Sequence, residues 1–361
     1  MDRPKTIAII CNYKLNPDRI GGMDRFFKSY QNELSSDGHQ LIWFFAGGSK
    51  FEFYSDFNIH FADGTSVEDW VLNYLDSEKV AIDIVVTHFT ALCTNFYKEL
   101  KIRKVKKIIA VDHNPRPLKG FSLKKQLKNR LKGFLFSKYI DAFVGVSDYT
   151  RQEILKDYGP HLKKKTHVVH NGIDYKRYKR KNSEDRSTKK FIVVSHLRYS
   201  KGIQDLLKAL ILIPEKTKKN IKIDIYGEGP FQPELEEIVE VNNIRGIIDF
   251  RGSSSQLPEI LHNYDYLIQP THMECFSLSL LESLAANVPV LTTTVGGNLE
   301  LIEDGVNGFI FEPQDILALA EILGNVITEN KKIESDVFPK IVQDFPLSKM
   351  VSDHIKITLC T

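Results

Sequence analysis

Residues 266–292 read YLIQPTHMECFSLSLLESLAANVPVLT. Tyr266–Gln269 is a short apolar run closed by Pro270, Phe276–Ala286 carries apolar residues at helical spacing, and Val288–Thr292 is apolar again. Runs apolar on both faces, joined through a helix, predict parallel strands in a βαβ unit. Glu274 falls in the loop after the first strand. Glu282 falls about two turns inside a helix that starts near Phe276, so both carboxylates can face one side, with the amides near Ser277 and Leu278 open to an anion. Spacing alone also allows a bland reading, in which Glu282 is an exposed helix residue and Glu274 a cap.

The same alternation extends in both directions. Upstream in the second half lie strands at Phe191–Ser195, Ile221–Tyr226 and Ile247–Arg251, with helices at Ile203–Ile213 and Phe231–Val241; downstream lie a strand at Gly308–Phe311 and a helix at Asp315–Val326. The first half repeats the pattern, with strands at Thr6–Cys11, His39–Ala46, Ile82–Thr87, Lys107–Val111, Ala142–Val146 and His167–Val169, and helices at Met23–Ser35, Ser66–Leu75 and Arg151–Tyr158. Between the halves, residues 174–190 (DYKRYKRKNSEDRSTKK) hold neither period and read as a linker. The expected architecture is α/β with two facing Rossmann-like domains, 1–173 and 191–343, and a closing segment 344–361. Such domains bind ligands beyond the carboxyl ends of their strands, which places the expected site in the interdomain cleft.

Composition excludes several classes. The chain has 361 residues, 42% hydrophobic and 26% charged, with 22 Phe and 14 Tyr, which suits two globular cores and argues against disorder. Its four cysteines are scattered without a C-x-x-C pair, so neither a disulfide framework nor a zinc knuckle is suggested, and a reducing cytoplasm fits. The N-terminal residues lack a long apolar stretch, and no run approaches the roughly 20 apolar residues of a membrane span, so neither a signal peptide nor a transmembrane segment is expected.

Two more loops follow strands and open helices. Gly21-Gly22 lets backbone approach a ligand closely and exposes helix amides to a phosphate, although an ordinary tight βα turn has the same sequence. Ser195-His196-Leu197-Arg198-Tyr199-Ser200-Lys201-Gly202 brings two cations to a helix start; Arg grips a diphosphate with a fork and Lys meets it as a point charge.

In its ordered set of motifs the chain resembles the GT-B glycosyltransferases of family 4, the retaining, nucleotide-sugar-dependent group. Glu274 and Glu282 match its Glu-x7-Glu motif. Gly21-Gly22, Lys201-Gly202, Gly227-Glu228-Gly229-Pro230, Val295-Gly296-Gly297-Asn298-Leu299-Glu300 and Asp304-Gly305-Val306-Asn307-Gly308 follow in the family's order. The resemblance implies that Glu274 contacts the hydroxyls of the transferred sugar, that Glu282 binds the nucleotide ribose, and that Lys201 stabilises the departing diphosphate. It implies donor contacts at Gly22, Gly229, Arg251, Ser277 and Leu278, and a C-terminal helix that crosses back to the first domain. Where the family usually carries Arg, five positions before the Lys, this chain has His196, and Arg198 is expected to substitute. Ser277 stands where many relatives have Gly.

Two histidines end strands in the first half. His113 resembles the family's strand-end histidine beside the reacting centre, and His88 is a candidate for the acceptor side. With His113, Glu274, Lys201 and Arg198 as catalytic candidates, the implied reaction is retaining transfer of a hexose or N-acetylhexosamine from a nucleoside diphosphate sugar, UDP preferred over GDP. The implied acceptor is a glycan or a lipid-linked molecule. No strand-ending Asp-x-Asp is present, so neither a metal nor any other cofactor is expected.

The net charge of +3 hides an asymmetry: through Lys181 there are 32 basic and 20 acidic residues, beyond it 17 and 26. Residues 98–138 hold fourteen Lys and Arg against Glu99 and Asp112. Within them Phe121, Leu127, Leu131, Phe134 and Leu135 recur at helical spacing among Lys124, Lys125, Lys128, Arg130 and Lys132, a basic amphipathic helix. The stripe either packs on its own domain or attaches the protein to an anionic cytoplasmic leaflet. A nucleic-acid-binding role for the same run is disfavoured, because aromatics are few and no nucleic-acid motif accompanies it. A catalytically silent partner subunit is the other competing class, kept open by His196.

Overall fold

The computed structural model describes residues 3–18, 20–181 and 188–360. The chain divides into two units, Met1–Asn171 with Ser348–Thr361, and Gly172–Leu347. In the first, β1 (Thr6–Lys14), α1 (Gly22–Ser36), β2 (Gln40–Gly47), β3 (Ile59–Phe61), α2 (Val67–Glu78), β4 (Ile84–His88), α3 (Asn95–Ile102), β5 (Lys107–Asp112), α4 (Leu123–Phe136), β6 (Ala142–Gly145), α5 (Asp148–Tyr158) and β7 (Thr166–Val168) follow in turn. Among the described residues they form one parallel sheet in the order β3-β2-β1-β4-β5-β6-β7. Ile7–Cys11 of β1 and the whole of β4 are buried, the signature of strands covered on both faces.

The second unit runs β8 (Lys189–Val194), α6 (Ile203–Leu212), α7 (Glu215–Lys218), β9 (Ile221–Tyr226), α8 (Gln232–Val241), β10 (Ile248–Gly252), α9 (Leu257–Ile260), β11 (Tyr266–Gln269), α10 (Leu278–Ala285), β12 (Val290–Thr293), α11 (Asn298–Leu301), β13 (Gly308–Phe311), α12 (Ile316–Ile327) and α13 (Phe338–Asp344). Its parallel sheet has the order β10-β9-β8-β11-β12-β13, the doubly wound arrangement whose order reverses between β8 and β11. α14 (Leu347–Leu359) then belongs, from Ser348, to the first unit. There Thr358 meets the Tyr30 hydroxyl at 2.6 Å, Lys107 Nζ donates to the Ile357 carbonyl at 2.7 Å, and His354 packs on Phe26.

Of the segment read as a linker, 182–187 lie outside the described residues. Residues 174–181 are laid on the second unit, where the Lys179 and Lys181 amides donate to the Pro258 and Ala286 carbonyls and Lys181 Nζ meets Asp265 at 2.6 Å. Irregular backbone fastened this way leaves no periodicity to read. Helix starts shift for a related reason. α5 begins at Asp148 instead of Arg151, and α10 at Leu278 instead of Phe276, because Ser147 and Ser277 act as caps whose hydroxyls accept from the amides of Thr150 and Leu280.

Candidate functional site

Two of the candidate groups meet at the switch point of the second sheet. The loop after β8 holds Lys201 and the loop after the neighbouring β11 holds Glu274, with Lys201 Nζ 2.9 Å from Glu274 Oε2. Both are half-buried. The other carboxylate oxygen, Oε1, accepts the Cys275 amide at 3.0 Å, which fixes the rotamer. The two loops are stitched together: the His272 amide donates to the Ser200 carbonyl at 2.8 Å, the Thr271 hydroxyl to the same carbonyl, and His272 Nε2 lies 2.5 Å from buried Asp205 on α6.

Glycines make these approaches possible. At Gly202, φ is +70° and a Cβ would fall 1.7 Å from the Pro270 carbonyl oxygen; at Gly296, φ is +66° and a Cβ would fall 2.2 Å from that of Glu274. The Gly297 amide donates to the Cys275 carbonyl at 2.8 Å, so the Val295–Gly297 turn cradles the segment that presents Glu274. Gly296→Ala is therefore expected to displace Glu274 and to lower donor turnover by at least about tenfold, while costing about 1–3 kcal/mol of stability from the left-handed backbone. Steady-state kinetics beside a urea titration checks both.

The helix α10 offers part of its N-terminus. Ser277, a cap, uses its hydroxyl on the Leu280 amide at 3.4 Å and receives Gln269 Nε2 at 2.5 Å, while Ser279 Oγ lies 3.1 Å away. Gln269 in turn meets Thr292 and Asn298, a buried polar net under the loop. The Ser277 hydroxyl is thus drawn into the unit, and the reason for Ser in place of Gly is capping. Among the described residues the amides of Leu278 and Ser279 carry no partner, as expected for a first turn, and they are the positive end open to an anion. Glu282 sits half-buried one turn inside α10, one turn nearer its start than the spacing predicted.

The remaining donor-side candidates fall around this core. Arg198 is exposed, and its carbonyl accepts the Lys201 amide at 2.9 Å, which closes the tight turn between the two cations. His196 Nδ1 lies 2.8 Å from the Glu228 carbonyl, and the Leu197 amide donates to the same oxygen. Gly229 backs that loop, since a Cβ there would fall 2.2 Å from the Leu197 carbonyl oxygen. Its place is under the Arg198 turn. Arg251 spans Asp224 at 2.9 Å and Asp249 at 3.1 Å on β9 and β10, so its guanidinium is committed to the sheet end.

In the first unit, His88 and His113, read separately from the sequence, form one pair with Nδ1 of the former 3.0 Å from Nε2 of the latter. Burial holds both neutral: it pushes His113 down to about 3 and His88 well below its ordinary value, where the neighbouring His113 and His354 add to the effect. Phe89, with φ +60°, stacks on His113 at 4.2 Å between centroids. The loop behind is pinned by Arg116, which donates to Asp112 and to Asp157 at 2.8 Å each with all three buried. At α1, Gly22 opens the helix, but Asp24 Oδ2 accepts the Gly21 amide at 2.7 Å and Oδ1 accepts the hydroxyls of Tyr13 and Tyr54. That buried carboxylate at the helix start works against a phosphate at Gly22.

Sequence reading missed His272, Asp205, Gln269, Phe89 and Arg116. The local signals were adjacency alone: Phe89 follows His88, Arg116 lies three residues after His113, and His272 two before Glu274.

Known proteins resemble this chain in sequence and in fold. The profile described as "Glycosyl transferases group 1" matches residues 174–336, and that described as "Glycosyltransferase Family 4" matches residues 20–177. Glycogen synthase of Mycobacterium tuberculosis is 30% identical over 192 residues, 52% of this chain and 46% of that protein. Lipopolysaccharide glucosyltransferase WaaG of Escherichia coli is 28% identical over 131 residues, 36% of this chain and 35% of that protein. The chain spans about half the length, or less, of the curated relatives it matches. In fold, HepE of Anabaena, crystallised with UDP and glucose, superposes with a TM-score of 0.78 at 16% identity over 98% of this chain and 99% of that one. WaaG superposes with a TM-score of 0.76 at 18% identity, covering 98% and 100%. Likeness at that identity speaks to the fold.

Proposed function

Because the chain belongs to the glycosyl transferases of group 1 and family 4, with the GT-B pair of parallel α/β units, we propose that it is a retaining glycosyltransferase. It moves a hexose or N-acetylhexosamine from a nucleoside diphosphate sugar, UDP in preference to GDP, to a glycan or lipid-linked acceptor in cell-surface polysaccharide or glycoconjugate synthesis. The observation that carries the reading is the Lys201–Glu274 pair at the β8/β11 switch point, beside the open amides of Leu278 and Ser279. The crystallised complexes of HepE with UDP and with UDP-glucose support the choice of base.

As the bond from the anomeric carbon to the diphosphate breaks, negative charge grows on the leaving oxygens and positive charge on the sugar. Lys201, Arg198 and the two amides meet the former without a metal. Glu274, fixed through the Cys275 amide, holds the sugar hydroxyls, and Glu282 the ribose. The acceptor hydroxyl attacks from the face the diphosphate leaves, its proton passes to a departing phosphate oxygen, and configuration is retained. In the first unit, neutral His113, aligned by His88 and Phe89, can accept or donate one further hydrogen bond without adding charge. An intact Lys201–Glu274 pair weighs against a catalytically silent subunit.

No helix among the described residues is long and apolar enough to cross a membrane, and a cytoplasmic protein working at the inner face of the membrane is the proposed setting. A panel of UDP- and GDP-sugars tests the function by thermal shift and donor hydrolysis. At saturating concentration the preferred UDP-sugar is expected to raise the melting temperature by several degrees, about 2–4 kcal/mol of linkage. Indifference to every donor in both assays would remove the proposal.

A further inference from the structure

The outer face of α4 takes no part in the chemistry above. Leu123 and Phe134 are 78% exposed, Leu127 72% and Leu131 59%. At about 100° per residue these four fall on one stripe roughly 16 Å long, and buried Asn129 and Gly133 fall on the opposite side. Gly133 fixes that rotation. A Cβ there would lie 1.9 Å from the Tyr158 carbonyl oxygen at the end of α5, so α4 rests on its neighbour through a residue no larger than glycine. The bland expectation that the apolar stripe packs on its own domain therefore fails, and the packed face is the small, polar one.

The charges around the stripe are all of one sign. Lys124 and Lys128 lie along one edge and Arg130 along the other; α4 contains no acidic residue, and among the described residues none of its five cations is in an ion pair. The two acids of the wider basic segment are used elsewhere, Glu99 on Arg103 and Asp112 on Arg116. Burial first, then the charges of Lys125 and Lys128, hold the Lys132 ammonium below its ordinary value. A second copy of the chain on this face would set two such cationic helices against each other.

We propose that α4 docks on an anionic lipid surface, with Leu123, Leu127, Leu131 and Phe134 inserted below the phosphates and Lys124, Lys128 and Arg130 resting on them. The inference deepens the membrane-side part of the proposed function, and hydrolysis of a UDP-sugar in lipid-free buffer tests the transferase part separately.

The test is flotation of the full chain with vesicles of phosphatidylcholine and phosphatidylglycerol in equal parts. The wild type is expected to float, and to float far less with phosphatidylcholine alone. Leu127→Ser with Phe134→Ser should weaken binding at least about tenfold, as should Lys124→Glu with Lys128→Glu, with melting temperatures unchanged because these side chains are exposed. Added salt should weaken the wild type without releasing it. The proposal is overturned by absent binding, by a serine variant that floats like the wild type, by complete release in salt, or by a wild-type dimer that the serine variant dissociates.

Discussion

Lys201→Ala is expected to lower kcat/KM for donor turnover by about 10²–10³, the usual size of losing one charged contact to a leaving group. The fold should survive, since Lys201 is half-buried and its ammonium has one described partner, Glu274 at 2.9 Å. Glu274→Ala should fall similarly. Because the two groups act as one unit, the double variant should lose much less than the product of the single losses. Lys201→Arg should recover little, for a forked guanidinium does not fit where an ammonium is set by the Arg198 turn and the Gly202 approach to Pro270. Initial rates of UDP-sugar hydrolysis measure all four. Full activity of Lys201→Ala would mean that the site lies elsewhere.

Acid is expected to unfold the first unit early. His113 and His354 are pushed down to about 3 in the folded chain by burial, the latter also by His113, while His88 is depressed as well. Unfolded histidines titrate near 6.5, so below that value the unfolded state binds protons that the folded state refuses, and stability is lost as pH falls from about 6.5 towards 3. Between about pH 7 and 5 each of the two should cost roughly 2 kcal/mol, a large share of a typical 5–15 kcal/mol. Both tryptophans, Trp43 and Trp70, lie in this unit, so their fluorescence in a urea titration follows it alone. His354→Leu, at a ring whose Nε2 has no described partner, should flatten the dependence by about one histidine's share. An unfolding midpoint that stays level down to pH 5 would contradict the buried neutral histidines.

Strands were the most legible part of the sequence. Ile221–Tyr226, which buries alternate residues, and Tyr266–Gln269 and Gly308–Phe311, which are mostly buried, stand at the bounds read from their patterns. β3 was not legible, because three half-buried residues around His60 make no pattern. Lys201 and Glu274 were singled out from their loops, yet their contact depends on β8 and β11 being neighbours, which only the strand order supplies. Asp205 and His272 are 67 positions apart, and nothing local in either announces the pair. For α4 the periodicity predicts one apolar face and is silent on whether that face turns inward. Gly133, which sets the rotation, looks in sequence like a weak point in a helix.

The first unit draws its last helix from the far end of the chain, after the whole second unit has passed. As the polypeptide leaves the ribosome, Phe26, Tyr30 and Lys107 are made early, and their partners His354, Thr358 and Ile357 come about 250 to 330 residues later. The unit that starts first therefore finishes last. Through most of synthesis its seven-stranded sheet waits with one flank bare, while the second unit, contiguous in sequence, is free to close behind it. A released chain that ends at Leu347 should thus show a protease-resistant second half and a first half still open to cleavage.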